Sequence, residues 1–167
     1  GFEDWTPGEA GAAAAIEDFA DAVADYDDAR NLPSVEGTSR LSPHLHHGEI
    51  SPRQVWQALK GRGKGVESFR RELAWRDFTA GLILALPDYA EKNGRSQFDR
   101  LKWRHAPSEL KAWREGRTGY PIVDAGMRQL WDTGWMHNRV RMITASFLVK
   151  HLLIDWREGE KWFRDTL

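Results

Sequence analysis

Hydrophobic residues recur every three to four positions along most of the chain, which is the spacing of one face of an α-helix. In the stretch 8–30, the residues with this spacing are Ile16, Phe19, Val23 and Tyr26. In the stretch 66–86, they are Phe69, Leu73, Phe78, Leu82, Ile83 and Leu86. No segment alternates apolar and polar residues as a half-buried strand does. The pattern predicts an all-α fold in which the helices form a bundle-like domain.

Capping signals predict where two more helices begin and end. Ser51 can cap a helix over 51–60, and Gln54 can close a capping box with it. A helix over 121–133 begins with proline and is followed by glycine. The stretches with neither a helical period nor caps are predicted as loops or turns, namely 31–50, 61–65 and 91–120.

The stretch 134–156 predicts one more helix, which runs to about Trp156 and is apolar except at its beginning. That beginning carries Asn138, Arg139 and Arg141. Buried charge costs free energy unless a partner compensates it, and residues two apart point to different faces of a helix. The two arginines therefore suggest two different anions, although a solvated helix end would also accommodate them.

Composition narrows the class of protein. The 167 residues fit one ordinary domain or part of a larger one, and a hydrophobic content of 41% is enough for a core. The absence of cysteine excludes disulfides, thiol catalysis and cysteine-ligated metal. No signal peptide and no apolar run of membrane-spanning length is recognisable, so we expect a cytoplasmic protein. Nine tryptophans are unusual; most can fill the core, but indoles also stack on flat ligands and conduct electrons.

Charge is distributed unevenly along the chain. Residues 1–37 have a net charge of −9, whereas residues 38–167 have a net charge of +8. Such asymmetry indicates a charged partner, and the basic stretch 38–167 is compatible with binding to nucleic acid. A solvated acidic helix followed by ordinary surface arginines explains the same numbers.

Two short motifs contain candidate binding chemistry. In TSRLSP (38–43), hydroxyls and an arginine can cradle a phosphate, although a loop that caps its own backbone is the simpler interpretation. In RRELAWRDF, Glu72, Trp75 and Arg76 lie within two turns and can present a carboxylate and a flat ring to a planar ligand. An intrahelical Glu72–Arg76 pair beside a core tryptophan explains that spacing equally well. The cluster of His44, His46 and His47 lacks a carboxylate or cysteine at metal-ligand spacing, so no metal site is predicted.

Longer motifs resemble the cryptochrome/photolyase family. They are EGTSRLSPHLHHGEISPRQVW, RRELAWRDF and WREGRTGYPIVDAGMRQLWDTGWMHNRVRMITASFLVKHLLIDWREGE, and the resemblance covers about residues 7–167. The stretches TGYPIVDAGMRQL and GWMHNRVRMITASFLVK are the most specific. The resemblance implies the helical FAD-binding domain of a class I cyclobutane pyrimidine dimer photolyase.

The chemistry of that family is light-driven DNA repair. Reduced, light-excited FAD donates an electron to a pyrimidine dimer flipped out of DNA, the dimer splits, and the electron returns. The resemblance therefore implies FAD as the cofactor and dimer-containing DNA as the partner, with no membrane and no obligate protein partner.

Matched motif by motif, the resemblance assigns roles to individual residues. The implied FAD contacts are Tyr26, Thr38, Ser39, Arg40, Leu41, Ser42, Phe69, Arg76 and Arg141. The implied DNA or substrate contacts are Arg30, Glu72, Trp75, Asn138, Arg139 and Met142. Glu72 would also be catalytic, because it would hydrogen-bond a thymine and stabilise charge, and Trp75 would stack on the flipped bases. Trp103 and Trp156 match two members of the family's tryptophan chain, which carries electrons to oxidised flavin.

The resemblance further implies that residues 1–167 are part of a C-terminal FAD-binding domain truncated at both ends. Family members begin with an α/β antenna domain that holds a second chromophore, and they continue past Leu167 with further residues around the flavin, including a third tryptophan. Complete repair by this chain alone is therefore not expected.

Two other functions stay open at this point. One is a cryptochrome-like blue-light sensor that binds flavin without repairing DNA, against which Glu72, Asn138 and Met142 weigh. The other is a helical DNA-binding module without cofactor, in which TSRLSP would only be a capping loop.

Overall fold

The computed structural model describes residues 5–61 and 63–167, and every regular element in these ranges is helical, which confirms the all-α prediction. The helices are α1 (Glu9–Ala22), α2 (Tyr26–Ala29), α3 (Ser42–His46), α4 (Pro52–Ala58), α5 (Lys64–Ala85), α6 (Pro107–Arg114), α7 (Pro121–Thr133), α8 (Asn138–Ser146) and α9 (Trp156–Thr166). The chain divides into two compact units. The N-terminal unit ends at Leu82, and the C-terminal unit reaches from Ile83 to Leu167.

Three aromatic rings form the centre of the N-terminal unit. The ring centroid of Phe19 lies 5.5 Å from that of Tyr26 and 4.7 Å from that of Phe69. Tyr26 and Phe69 pack edge to face at 5.1 Å. Because such pairs stabilise a core by about 0.5–1.5 kcal/mol beyond simple burial, they join α1 to α5. The predicted apolar face of 8–30 is buried as expected, although a 3₁₀ turn at Val23–Asp25 separates α1 from α2.

The predicted capping box is present at the start of α4. Ser51 Oγ accepts a hydrogen bond from Gln54 N at 3.2 Å, and Gln54 Oε1 accepts one from Ser51 N at 2.8 Å. These bonds satisfy two backbone donors that the helix cannot satisfy itself.

The apolar face predicted for α5 is only half buried, which corrects that prediction. Phe69 and Leu73 belong to the core, whereas Phe78 and Ile83 are each 58% exposed. Helical spacing shows which residues share a face, but not whether another element covers that face. Leu73 is the last residue of α5 that belongs to the core of the N-terminal unit. None of the described helices, α5 included, has both the length and the apolar character that crossing a membrane requires.

A fully buried tryptophan organises the C-terminal unit. Trp113 packs in a cluster with residues of α7 and α8, and its Nε1 donates to the carbonyl oxygen of Thr144 at 3.0 Å. Asp124 accepts hydrogen bonds from the backbone N–H groups of Thr118 and Gly119 at 2.7 and 2.9 Å, which fixes the turn before α7. This turn accounts for part of the specific TGYPIVDA stretch.

Two predicted loops contain short helices. The stretch 31–50 includes α3, and the stretch 91–120 includes a 3₁₀ turn at Ser96–Arg100 and α6. Both have a proline in their first two positions, as α7 does, but α3 has five residues and α6 has eight, so the helical period barely repeats in either. Of the two signals for a helix, these stretches therefore offered only the proline.

The prediction of one helix running to Trp156 is wrong. The helix α8 ends at Ser146, a π-helical turn follows at Phe147–His151, and Leu153 adopts a left-handed conformation with φ 53°. Asp155 then begins α9 by accepting a hydrogen bond from Arg157 N at 3.0 Å. The hydrophobic pattern does not show this break, because most of the connecting residues are themselves apolar.

The close contact of α7 with α8 makes Gly126 a sensitive position. A Cβ atom there would lie 2.3 Å from Val140 Cγ1. We expect Gly126→Ala to lower the free energy of unfolding by about 1–3 kcal/mol through overpacking, despite its better helix propensity.

Urea unfolding followed by circular dichroism measures this effect. The matched control is Gly81→Ala in α5, where a Cβ would meet none of the described residues within 4 Å. That change should stabilise the protein by about 0.4–1 kcal/mol. Equal effects of both substitutions would contradict the close packing at Gly126.

Candidate functional site

A groove of about 530 Å³ lies on the surface of the N-terminal unit. One wall is α1, where small residues such as Ala14 and Ala15 leave room for a ligand. The other wall includes Thr38, Ser39 and Arg40. Hydroxyl and guanidinium groups are suitable donors for a phosphate. Three of the predicted FAD contacts thus line one groove.

The chain around Arg40 is held in a strained conformation. Arg40 has φ 49°, in the left-handed region that costs a non-glycine residue about 1–3 kcal/mol. Next to it, Leu41 is buried in the core, and its backbone N–H donates to Ser39 Oγ at 3.4 Å. The side chain of Arg40 pairs with Glu36 at 3.4 Å. Ser42, the last predicted contact of this segment, is exposed at the start of α3.

A buried histidine beside the groove pairs with a partly exposed glutamate. His44, which also lines the groove, is 5% exposed, and its Nδ1 lies 2.5 Å from Glu49 Oε2. Glu49 also accepts a hydrogen bond from the backbone of Gly8, the residue that caps α1. The hydrogen bond with His44, and then that with Gly8, holds the pKa of Glu49 below its ordinary value. Glu49 therefore ties the two walls together.

The other two histidines of the cluster pack against each other. The rings of His46 and His47 meet edge to face with centroids 4.9 Å apart. Within residues 5–61 and 63–167 there is no group of three or more side chains that could hold a metal ion.

Glu72 forms an ion pair with Arg30, at the end of α2. The spacing alone allowed a Glu72–Arg76 pair, but the partner is 42 residues away. The hydrogen bond with Glu72 raises the pKa of Arg30, and the Arg30 guanidinium lies 5.3 Å from the ring centroid of Tyr26. Two predicted substrate residues and one predicted FAD contact thus lie together, with the carboxylate of Glu72 still partly accessible.

Trp75 lies on the surface of the N-terminal unit. It is 59% exposed and meets Phe78 edge to face at 5.4 Å, so the alternative of a core tryptophan is wrong. Being three residues after Glu72, it lies on nearly the same side of α5. Arg76 is partly buried, whereas Phe69 is a core residue.

The predicted polar residues at the start of α8 contact different neighbours. His137 caps the helix by accepting from Arg139 N at 3.2 Å. The Arg139 guanidinium lies 3.7 Å from the sulfur of Met142, and that methionine is mostly exposed. Arg141 instead reaches back to the carbonyl oxygen of Met136 at 3.5 Å. Asn138 is exposed at the first position of the helix.

The guanidinium of Arg141, like those of Arg70 and Arg114, is not fully paired by the described residues. Its Nε is buried and finds no hydrogen-bond acceptor among the described residues. Burial lowers the pKa of Arg141, because removing water disfavours the charged form. A buried cation of this kind fits an anionic ligand.

The two segments that carry Trp103 and Trp156 lie side by side in the C-terminal unit. Arg104 N donates to the carbonyl oxygen of Leu153 at 2.8 Å, and Arg104 Nη1 donates to that of Leu152 at 3.1 Å. Both indoles are partly buried, and Trp156 Nε1 donates to Asn93 Oδ1 at 2.8 Å. Sequence reasoning missed Asn93 because it lies 63 residues from its partner.

The fold and these groups define an all-α domain equipped to receive an anionic ligand. The family described as the FAD binding domain of DNA photolyase matches residues 69–167, and the chain belongs to this family.

Several characterised proteins are similar over the whole chain. A deoxyribodipyrimidine photo-lyase of Agrobacterium fabrum is 56% identical over 173 residues, which cover 99% of this chain and 36% of the relative. Cryptochrome-1 of Sinapis alba is 43% identical over 178 residues, which cover 98% of this chain and 35% of the relative. The crystal structure of a class III photolyase from Agrobacterium tumefaciens has a TM-score of 0.96 at 55% identity, covering 99% of this chain and 36% of that one. The chain thus spans about a third of these relatives, and its assignment to class I stays a prediction.

The His44–Glu49 pair predicts a pH-dependent contribution to stability. Because the folded pKa of Glu49 is lowered, its contribution is complete above the ordinary glutamate value of 4.5 and is lost as pH falls through the folded pKa. We expect Glu49→Gln to lower the free energy of unfolding above that pH, and the difference from the wild type to vanish in acid.

Urea titrations at several pH values measure this difference. The matched control is Glu17→Gln, a change at an exposed position of α1. A deficit of Glu49→Gln that is the same at every pH would contradict the role of the Glu49 carboxylate.

Proposed function

We propose that this chain is the FAD-binding part of a light-driven DNA repair enzyme, a deoxyribodipyrimidine photolyase that splits cyclobutane pyrimidine dimers. The observation that carries the proposal is the carboxylate of Glu72, held by Arg30 and placed one turn from the exposed indole of Trp75. A flat ring and an oriented carboxylate are the groups needed to stack on a base and to hydrogen-bond its polar edge. Membership of the photolyase family supports the same conclusion.

Two sets of residues would hold the cofactor. Thr38, Ser39 and Arg40 would bind the pyrophosphate of FAD through hydroxyl, backbone and guanidinium donors. Arg141 would lie beside the flavin ring, where its buried charge would favour the anionic reduced form. Bound FAD would supply light-driven one-electron chemistry. Tyr26, Phe69 and Arg76 would complete the FAD side, with Leu41 and Ser42 fixing the segment that carries the hydroxyls.

The substrate residues would act by positioning. Trp75 would stack on the extrahelical bases, and Glu72 would hydrogen-bond a thymine and stabilise charge on it. Asn138 and Arg139 would bind DNA next to the lesion, with Met142 at their side. Arg30 would keep Glu72 correctly oriented, because its guanidinium already pairs with that carboxylate.

A light-sensing function is the second candidate, because the chain is 43% identical to a cryptochrome. A sensor and a repair enzyme would both bind FAD, so only the substrate residues distinguish them. The proposed partner is DNA that contains pyrimidine dimers, and the proposed location is the cytoplasm.

Glu72→Gln tests the repair function in the FAD-loaded holoprotein. The amide keeps the size of the carboxylate but removes its charge, so we expect the repair yield on ultraviolet-damaged oligonucleotide to fall about three- to tenfold, as for loss of one hydrogen bond. The FAD content should stay unchanged, because Glu72 is assigned to the substrate.

Glu67→Gln, an exposed change in the first turn of the same helix, is the control. Loss of FAD in Glu72→Gln would show that the residue belongs to the cofactor side. Full repair by this variant, or no light-dependent repair by the wild type, would favour the sensor.

Arg141→Leu and Arg139→Leu form a matched pair on one helix. We expect Arg141→Leu to weaken FAD binding by about 10- to 100-fold, since hydrogen bonds to charged groups contribute about 1.5–3 kcal/mol. The same change should leave the FAD-free protein equally stable or more stable, because it removes an uncompensated buried charge.

Arg139→Leu should retain FAD and bind dimer-containing DNA more weakly. Fluorescence titration with FAD, thermal unfolding with and without FAD, and oligonucleotide binding give the three measurements. Equal losses of FAD in both variants would contradict the assignment of the two arginines to different ligands.

A further inference from the structure

His44 is joined to Glu49 by two hydrogen bonds. Its Nδ1 lies 2.5 Å from Glu49 Oε2, and its backbone carbonyl oxygen accepts from Glu49 N at 2.9 Å. The hydrogen bond with His44, and then that with Gly8, lowers the pKa of Glu49, so this carboxylate is ionised at neutral pH and can only accept. Nδ1 of His44 therefore carries a proton and donates to Glu49. The other ring nitrogen, Nε2, is the one that can gain or lose a proton.

The Nε2 edge of His44 is available to a ligand in the groove. His44 is 5% exposed, yet it lines the groove together with Thr38, Ser39 and Arg40. Within the described part of the chain, no group forms a hydrogen bond with Nε2. Because Glu49 covers the Nδ1 edge, the small accessible part of the ring lies on the Nε2 side.

The groove offers little positive charge to phosphates while His44 is neutral. Among the described residues, those with charged or titratable side chains that line it are Asp18, Glu36, Arg40 and His44. Arg40 pairs with Glu36 at 3.4 Å, and Asp18 is a second acidic residue, on α1. The pyrophosphate of FAD would bring further negative charge. A second cation in the groove would therefore strengthen the binding of the dinucleotide.

We propose that His44 is a proton-dependent ligand for the phosphates of FAD. When the dinucleotide binds, Nε2 takes up one proton from the solvent and donates a hydrogen bond to a phosphate oxygen, while Glu49 stabilises the imidazolium through Nδ1. The proposal rests on the proposed function, in which this groove holds FAD. It adds that the affinity for FAD depends on pH.

The physical reason is that two anions, one at each ring nitrogen, favour the charged form of a histidine. A nearby negative charge stabilises the imidazolium, and so does a hydrogen bond that the charged form donates. Glu49 supplies one such anion in the free protein, and a phosphate would supply the second. Histidine is the side chain whose charge changes near neutral pH, so the arrival of the phosphate is sufficient to change it.

Other groups near the pair respond to pH as well. The titratable and charged groups around His44 are, in chain order, Asp18, Glu36, Arg40, His47 and Glu49. Carboxylates titrate in a more acidic range than histidines, and guanidinium groups stay charged. His47 is exposed, and its charge contributes to the lowered pKa of Glu49 less than the His44 hydrogen bond does. A pH effect near neutrality therefore has to be assigned between His44 and His47.

Calorimetric titration of the FAD-free protein with FAD, in two buffers of different ionisation enthalpy, measures the protons taken up on binding. Riboflavin is the matched control ligand, because it has the flavin ring and the ribityl chain of FAD but no phosphate. Neither ligand titrates near neutral pH, so any uptake belongs to the protein. The NMR signal of the His44 Cε1 proton, assigned with His44→Gln, reports the protonation of this ring directly.

For the wild type we expect uptake of about one proton per FAD, and an affinity about tenfold weaker at about pH 8 than at about pH 6. Riboflavin should show neither effect. His44→Gln should bind FAD as weakly as the wild type does at the higher pH, without proton uptake at any pH. Glu49→Gln should take up less of a proton. The controls His46→Gln and His47→Gln change exposed histidines and should behave as the wild type does.

FAD affinity that does not change with pH, without proton uptake by the wild type, would overturn this proposal and leave the FAD site intact. Uptake that persists in His44→Gln, or is lost in His47→Gln, would assign the proton to another group and also overturn it. The comparison of FAD with riboflavin needs only the wild type, so it decides the matter if His44→Gln does not fold. No binding of FAD by the wild type would instead overturn the cofactor assignment of the proposed function.

Discussion

The hydrogen bond from Trp113 to the carbonyl oxygen of Thr144 is the constraint on which the C-terminal unit depends. It connects α6 to α8 across 31 residues and lies in a fully buried environment, where an unsatisfied indole N–H or carbonyl would be costly. Because α8 is fixed in this way, its first turn can hold Arg141 in a partly buried position without a carboxylate partner. The core thus stabilises an arrangement that the charge alone would disfavour.

In the N-terminal unit, aromatic rings hold proposed ligand-binding residues in place. The contacts among Phe19, Tyr26 and Phe69 bring the end of α2 against α5, and this places Arg30 next to Glu72. The strained residue Arg40 also lies next to a core residue, because Leu41 is buried. Residues proposed to bind ligands are therefore held by neighbours that are purely structural. In both units, the groups proposed to bind ligands therefore depend on the packing of the core.

The family resemblance shows which family the chain belongs to, whereas the side-chain contacts indicate where ligands are proposed to bind. Membership of the photolyase family rests on similarity over nearly the whole chain, but the chain spans only about a third of its relatives. The exposed indole of Trp75 and the paired carboxylate of Glu72 indicate which face of α5 is available to a substrate. The buried, unpaired Nε of Arg141 separately supports the proposal of an anionic ligand. Both kinds of argument support the proposal of a flavin-dependent DNA repair protein.

The sequence by itself determined the helical class, the box that begins α4 and the ends of α7, because helical period and caps are local properties of a few neighbouring residues. Only the tertiary structure decided that Glu72 pairs with Arg30, that Trp75 is exposed and that the helix after Asn138 breaks before Trp156. Each of these depends on contacts between residues far apart in the chain. Such contacts leave no periodic signal, since they arise only when separate helices pack together.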